Sequence, residues 1–277
     1  MTDFVTRFAP SPNGYLHLGH AYSALVGFYA ARRHGGRFLL RIEDIDLGRA
    51  RPEFEAAIYE DLAWLGIEWE EPVRRQSEHF SIYEAATAKL TDVGLTYPCF
   101  CTRKEMLSAG ATHGPDGLVY PGTCKELNAP DVAARINAGE PHALRLDVEK
   151  ALARMEAPLF WQEEEEGQVL ANPAAFSDVV LVRKDVPTSY HVSVVVDDAR
   201  QGITTVTRGR DLYEHTAVHR LLQALLDLPM PHYHHHALVT DDAGQRLAKS
   251  KGSTSLRDLR AAGYTWQDIL AALPPLD

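Results

Sequence analysis

Short β-prone runs alternate with longer stretches of helical period over the first third of the chain. Phe4-Val5-Thr6-Arg7-Phe8 predicts a strand, and Pro10, Pro12 and Gly14 punctuate the loop after it. From Ala21 to Arg33 the apolar residues Leu25, Val26, Phe28 and Tyr29 recur at helical spacing. Phe38-Leu39-Leu40-Arg41-Ile42 predicts a second strand, ending in the acidic group Glu43-Asp44-Ile45-Asp46. Phe54, Ile58, Leu62 and Leu65 then mark a helix over Pro52 to Leu65. Strand–helix–strand alternation indicates an α/β fold with a parallel, doubly wound sheet, where ligands bind at the carboxyl ends of strands.

The pattern breaks at Pro98. Glycine, proline and short apolar runs dominate as far as about Pro187, so residues 98–186 read as an insertion into the fold begun by residues 1–97. Alternation resumes over 187–240, with strand-like runs at Ser193–Asp198 and Thr204–Gly209 and a helix from about His215 to Leu226. His232, His234, His235 and His236 read as a Pro-rich turn before the strand-like Ala237-Leu238-Val239, in surface or supporting roles, one of them near a bound base. Residues 241–277 hold a polar loop and a short amphipathic helix around Trp266 to Leu273.

Composition narrows the class. Hydrophobic content of 45% and charged content of 24% describe a soluble globular protein. No apolar stretch reaches membrane-spanning length, and Asp3 and Arg7 interrupt any signal-like run at the N-terminus. Three cysteines, two of them one residue apart, speak against a disulfide framework and for a reducing, cytoplasmic location. A net charge of −10 excludes a general nucleic-acid binder but leaves room for a local basic surface. The acidic run Glu163 to Glu166 reads as a solvated turn.

The candidate chemistry begins at His17-Leu18-Gly19-His20. Two imidazoles three residues apart share one face of a helix start, and Gly19 between them would let a ligand approach. Helix N-termini favour anions, so the site suits phosphates. The run from Arg7 through Pro10-Ser11-Pro12-Asn13-Gly14 to His20 resembles the HIGH region of class I aminoacyl-tRNA synthetases, within the glutamyl branch. Arg246-Leu247-Ala248-Lys249-Ser250, after the turn Asp241-Asp242-Ala243-Gly244, resembles the KMSKS loop of that class. Arg246 stands for its first lysine and Ala248 for its first serine, while Lys249 is kept. The resemblance implies a Rossmann-type catalytic domain and Mg²⁺-dependent use of ATP as substrate. It makes His17, His20 and Lys249 catalytic and assigns ATP to His17, Gly19, His20, Arg246, Leu247, Lys249 and Ser250.

The same resemblance implies an L-glutamate pocket lined by Arg7, Ala9, Ser11, Glu43, Tyr190 and Arg208. The chemistry agrees: a guanidinium pairs bidentately with a carboxylate, and Glu43 can receive an ammonium. Either arginine could instead serve an ion-pair network with Asp197 or Asp211. Cys99, Cys101 and Cys124 can hold a structural Zn²⁺ if a fourth ligand exists. His113 is the conventional candidate, and the C-x-C…Y-x-x-x-C pattern of the family implies Tyr120.

Little chain follows the KMSKS-like loop, so no anticodon-binding domain is expected. This truncated form resembles the glutamyl-queuosine tRNA(Asp) synthetases. That resemblance implies a monomer that activates glutamate without tRNA and esterifies it to queuosine in the anticodon of tRNA(Asp). A compact synthetase charging a tRNA 3′ end and a catalytically silent paralogue that binds RNA or a partner are the alternatives.

Overall fold

The computed structural model describes residues 3–240 and 254–276. Its first part is β1 (Val5–Phe8), α1 (Leu18–Arg33), β2 (Arg37–Ile42), α2 (Pro52–Trp64), β3 (Glu70–Arg75) and α3 (Phe80–Asp92). β1, β2 and β3 pair in parallel, in that order. The alternating apolar period therefore yields the expected βαβ start. α1 begins at Leu18, three residues before the helix the apolar spacing predicts, because His17 caps it.

The middle of the chain holds β4 (Thr96–Cys99), α4 (Arg103–Ser108), the short hairpin of β5 (His113–Gly114) and β6 (Gly117–Leu118), and α5 (Ala129–Asn137). β7 (Ala143–Leu146), α6 (Val148–Ala153), β8 (Phe160–Glu163), β9 (Gly167–Leu170) and β10 (Val180–Val182) follow. β4, β7 and β10 make an antiparallel sheet of their own. β8 does not belong to it.

The last part comprises α7 (Tyr190–Arg200), β11 (Thr205–Gly209), α8 (Thr216–Leu225), β12 (His232–His236), α9 (Leu256–Ala261) and α10 (Trp266–Ala271). β11 and β12 are parallel, and β8 adds to β12, so residues 160–170 of the insertion return to the sheet of β11 and β12. β11 runs beside β1, joined by Thr204 N–H to Val5 O at 2.9 Å. From this seam the chain winds outward through α1 to β2 on one side and through α8 to β12 on the other. Such a switch of direction leaves a crevice at the carboxyl ends of the strands. Gly27 lets α1 cross close to the seam, since a Cβ there would sit 2.8 Å from Thr207 Oγ1.

Three expectations are corrected. Ser193–Asp198 is not a strand but the middle of α7, buried on every side. A helix with no solvent face shows no polar stripe, and its valines read as β-prone. The histidine run is not a turn but β12 itself, with His235 and His236 buried, and Ala237–Val239 lies beyond it. Glu163 is not solvated: it is 2% exposed and bonded to His235, while Glu164 to Glu166 form the exposed turn. Among the described residues no helix is long and apolar enough to cross a membrane.

Candidate active site

The crevice at the β1–β11 seam is a cavity of about 930 Å³. Arg7, Ala9, Ser11, His17, Gly19, His20, Glu43, Tyr190 and Arg208 all line it. Arg7, Ala9 and Ser11 come from the end of β1 and the loop after it, Glu43 follows β2, and Arg208 lies one residue before the end of β11. Strand termini thus bring together residues that are far apart in sequence. Arg246, Leu247, Lys249 and Ser250 lie outside the described residues. The chain preceding them reaches the crevice through Leu238 and Val239, and Ser255 after them pairs with His17.

At the helix start, His17 Nδ1 accepts the Gly19 N–H at 3.1 Å, and the His17 N–H donates to His20 Nδ1 at 3.2 Å. These bonds satisfy two helix-terminal donors and leave the proton of each neutral ring on Nε2. The histidines therefore both cap the helix and carry N–H donors suited to a phosphoryl oxygen. Gly19 lines the crevice and also serves the cap. A Cβ there would lie 3.1 Å from His17 Cε1, so the glycine makes room for the capping ring.

Three guanidiniums are buried around the crevice, and their partners differ. Arg7 donates to both oxygens of Asp198, at 2.9 and 3.1 Å. Arg41, with no exposed surface, donates to Asp198 at 2.7 Å and to Glu43 at 3.0 Å. Burial pushes the Asp198 carboxyl upward, but Arg7 and Arg41 outweigh it and hold the group below the usual range. Burial wins at Glu43, whose carboxyl is raised despite Arg41 and Arg7. Among the described residues Arg208 has neutral partners only: His235, His219, Thr216 and, at 3.5 Å, Tyr190. No carboxylate of a described residue pairs with it. Burial lifts the Tyr190 phenol to about 12, with Arg208 opposing, so it stays a neutral hydroxyl.

This arrangement of a capped helix start and opposed charges at a strand switch point can be set beside known proteins. The family of class I tRNA synthetases (E and Q), catalytic domain, matches residues 3–274. The chain belongs to this family. The synthetase is 48% identical to the glutamyl-Q tRNA(Asp) synthetase of Rhodobacter capsulatus, over 96% of this chain and 98% of that one. It is 44% identical to the protein of the same name from Nocardia farcinica, over 96% of this chain and 82% of the other. The glutamate–tRNA synthetase structure from Elizabethkingia anophelis superposes with a TM-score of 0.75 at 28% identity. That match covers 95% of this chain and 54% of the longer one.

Away from the crevice, the synthetase gathers Cys99, Cys101 and Cys124 with mutual sulfur distances below 4.8 Å. Cys101 and Cys124 Sγ are 3.4 Å apart, and Tyr120 Oη lies 3.6 Å from Cys101 Sγ. His113 is not part of the group. Burial raises the Cys101 thiol to about 11, while at Cys124 the Tyr120 hydroxyl and backbone donors outweigh burial and lower it. Three sulfurs and a phenol oxygen are a donor set that suits tetrahedral Zn²⁺.

Sequence reasoning missed Arg41, Asp198, His219, Thr216 and the pairing of Glu163 with His235. Two signals were available. Arg41 is a charge inside an apolar strand, and Asp197-Asp198 closes an apolar run; both patterns mark buried pairs.

Proposed function

We propose that this synthetase activates L-glutamate with ATP, without tRNA, and transfers it to queuosine in the anticodon of tRNA(Asp). The observation that carries the reading is Arg208, a buried cation at the wall of the crevice that has no carboxylate partner among the described residues. A buried charge is costly unless paired. A substrate carboxylate would complete this one, as the acidic residues already complete Arg7 and Arg41. Glu43 offers the opposite charge for the ammonium, with Ser11 and Tyr190 supplying hydroxyls.

In the first step a carboxylate oxygen of glutamate attacks the α-phosphorus of ATP, which enters with Mg²⁺ as its substrate complex. The new P–O bond forms as the bond to the β-phosphate oxygen breaks, and pyrophosphate leaves. Negative charge gathers on the phosphoryl oxygens, where preorganised donors act most strongly. His17 and His20 provide Nε2–H groups for that role, and Lys249 is assigned to the departing pyrophosphate. In the second step a hydroxyl of the queuosine cyclopentenediol attacks the glutamyl carbonyl, its proton departs, and AMP is released. Zn²⁺, held by Cys99, Cys101, Cys124 and Tyr120, would brace the insertion and take no part in either step.

Pyrophosphate exchange dependent on glutamate, measured without tRNA, tests activation; no exchange overturns the mechanism. Glutamylation of tRNA(Asp) with and without queuosine tests the acceptor. Equal charging of both, with an ester at the periodate-sensitive terminal ribose, would reassign the synthetase to the tRNA 3′ end.

A further inference from the structure

The chemistry of Arg208 dictates the protonation of everything it touches. A guanidinium only donates. His219 Nδ1, 3.1 Å from Nη1, therefore accepts, and the His219 proton sits on Nε2. That nitrogen is 3.2 Å from His191 Nδ1, so His191 accepts in turn and carries its own proton on Nε2, 3.2 Å from Asp116 Oδ2. On the other side, Arg208 Nε donates to His235 Nε2 at 3.0 Å. His235 then donates from Nδ1 to Glu163 Oε2 at 2.7 Å, and its backbone N–H binds Glu163 Oε1 at 2.9 Å. Each ring nitrogen in the two chains has one role, and each chain ends on a carboxylate. Asp116 belongs to the hairpin turn between β5 and β6, whereas Glu163 ends β8.

We propose that these two histidine chains position Arg208: they fix the orientation of its guanidinium while leaving its charge for the substrate, and the branch through His219 and His191 ties it to Asp116 of the insertion. A carboxylate placed directly on Arg208 would orient it equally well and cancel its attraction for an anion. Interposing a neutral imidazole separates orientation from neutralisation. Arg7 shows the contrast, since it is both held and neutralised by Asp198. Other groups around the chains are consistent with neutral rings. His215 packs beside His191 with ring centroids 5.6 Å apart, and the Tyr190 ring packs against both His191 and His219. Burial, reinforced by Arg208, holds His219 well below its ordinary range, and His235 is lowered by burial although Glu163 opposes it.

The same atoms bear on a competing use. Asp116, His191 and His215 bring ligand atoms within 4.8 Å of one another, close enough to suggest a metal. A metal needs the bare Nε2 of His191, whereas the chain puts a proton there. Moving that proton to Nδ1 would oblige His219 to turn an N–H toward Arg208. Metal binding and the ordered chain thus exclude each other.

The proposal rests on the reading of Arg208 as the partner of a glutamate carboxylate, and the test separates the two. In glutamate-dependent pyrophosphate exchange with the full-length protein, Arg208→Ala addresses that reading alone. His219→Leu removes the acceptor for Nη1 and should raise the KM for glutamate ~10-fold, with the KM for ATP within about twofold. Preference for glutamate over glutamine should fall with it. His219→Asn, whose Oδ1 can replace Nδ1 as acceptor, should recover the KM for glutamate to within about threefold of wild type. If Arg208→Ala raises that KM and His219→Leu does not, the histidine chain is wrong and the role of Arg208 stands. If Arg208→Ala changes nothing, the substrate reading fails and takes the chain with it. Equal damage from Leu and Asn, with the ATP parameters falling as well, would show plain packing and overturn the proposal. So would a second equivalent of Zn²⁺, bound on titration with zinc alone and lost in His215→Ala.

Discussion

Glu43 shows how one residue can serve binding at the expense of the fold. Its side chain is buried beside Arg41, and burial raises its carboxyl above the ordinary value. A carboxyl raised on folding favours the native state below its unfolded pKa and loses that contribution as pH rises through the folded value. Ionised Glu43 is therefore a cost at neutral pH in the empty pocket. Glu43→Gln, which keeps an acceptor for Arg41, should raise Tm at pH 8 by about 2–4 °C, the equivalent of roughly 1 kcal/mol in a chain of this size. The gain should vanish at pH 4, where both side chains are neutral. The same variant should raise the KM for glutamate at least ~10-fold, because the ammonium loses a charge-assisted partner. Thermal melts at the two pH values and exchange kinetics check both parts. Equal melting temperatures at pH 8 would show that Arg41 and Arg7 already offset the burial.

At the scale of elements, the start of α1 combines support and chemistry, and substitution can separate them. His17→Asn keeps a side-chain acceptor at a cap position where asparagine is favoured, but removes the Nε2–H. His17→Ala removes both. The alanine variant should lose about 0.5–2 kcal/mol of stability and the asparagine variant much less. Both should lower kcat for adenylate formation by ~100-fold, the usual cost of a transition-state donor. Denaturant unfolding and exchange rates measure the two effects; a wild-type kcat in His17→Asn would confine His17 to capping. This element was legible because Pro10, Pro12 and Gly14 isolate it between a strand and a run of apolar residues at helical spacing. The same clarity extended to Arg7, Ser11 and Glu43, which sit where strands end. α7 was not legible, since its polar residues His191, Ser193, Asp197 and Asp198 are buried with its valines and the β-branched run Val194-Val195-Val196 reads as a strand. With it went Asp198, the shared partner of Arg7 and Arg41. The β12 histidines were misread for a related reason: His235 is a buried link to Arg208, and a polar residue in that position looks like a turn until its partner is known.

Over the whole molecule, the acidic excess and the insertion pose one question: what steadies a long irregular segment whose hairpin reaches the catalytic crevice? Within it, the cysteine cluster packs with Phe100, Tyr120 and Ala143 beside the β4–β7–β10 sheet, and Asp116 of the β5–β6 turn lines the crevice. A zinc ion on Cys99, Cys101, Cys124 and Tyr120 would join the two ends of the segment that contains this turn. Protein purified without chelator should accordingly contain close to one equivalent of zinc. A ligand present at a thousand times its Kd stabilises by about 4 kcal/mol, so stripping it should lower Tm by about 8–16 °C. Because the thiolates lie outside the crevice, the KM for ATP should change little on zinc removal. The KM for glutamate should rise, since the hairpin carrying Asp116 loses its brace and Arg208 is tied to it. Elemental analysis, melting curves with and without chelator, and exchange kinetics on the stripped protein decide the matter. A protein with no zinc and an unchanged melting curve would leave the three cysteines as packing, and the hairpin would then owe its order to its own strand pairing and to contacts such as Asp116–His191 and Pro115–His215.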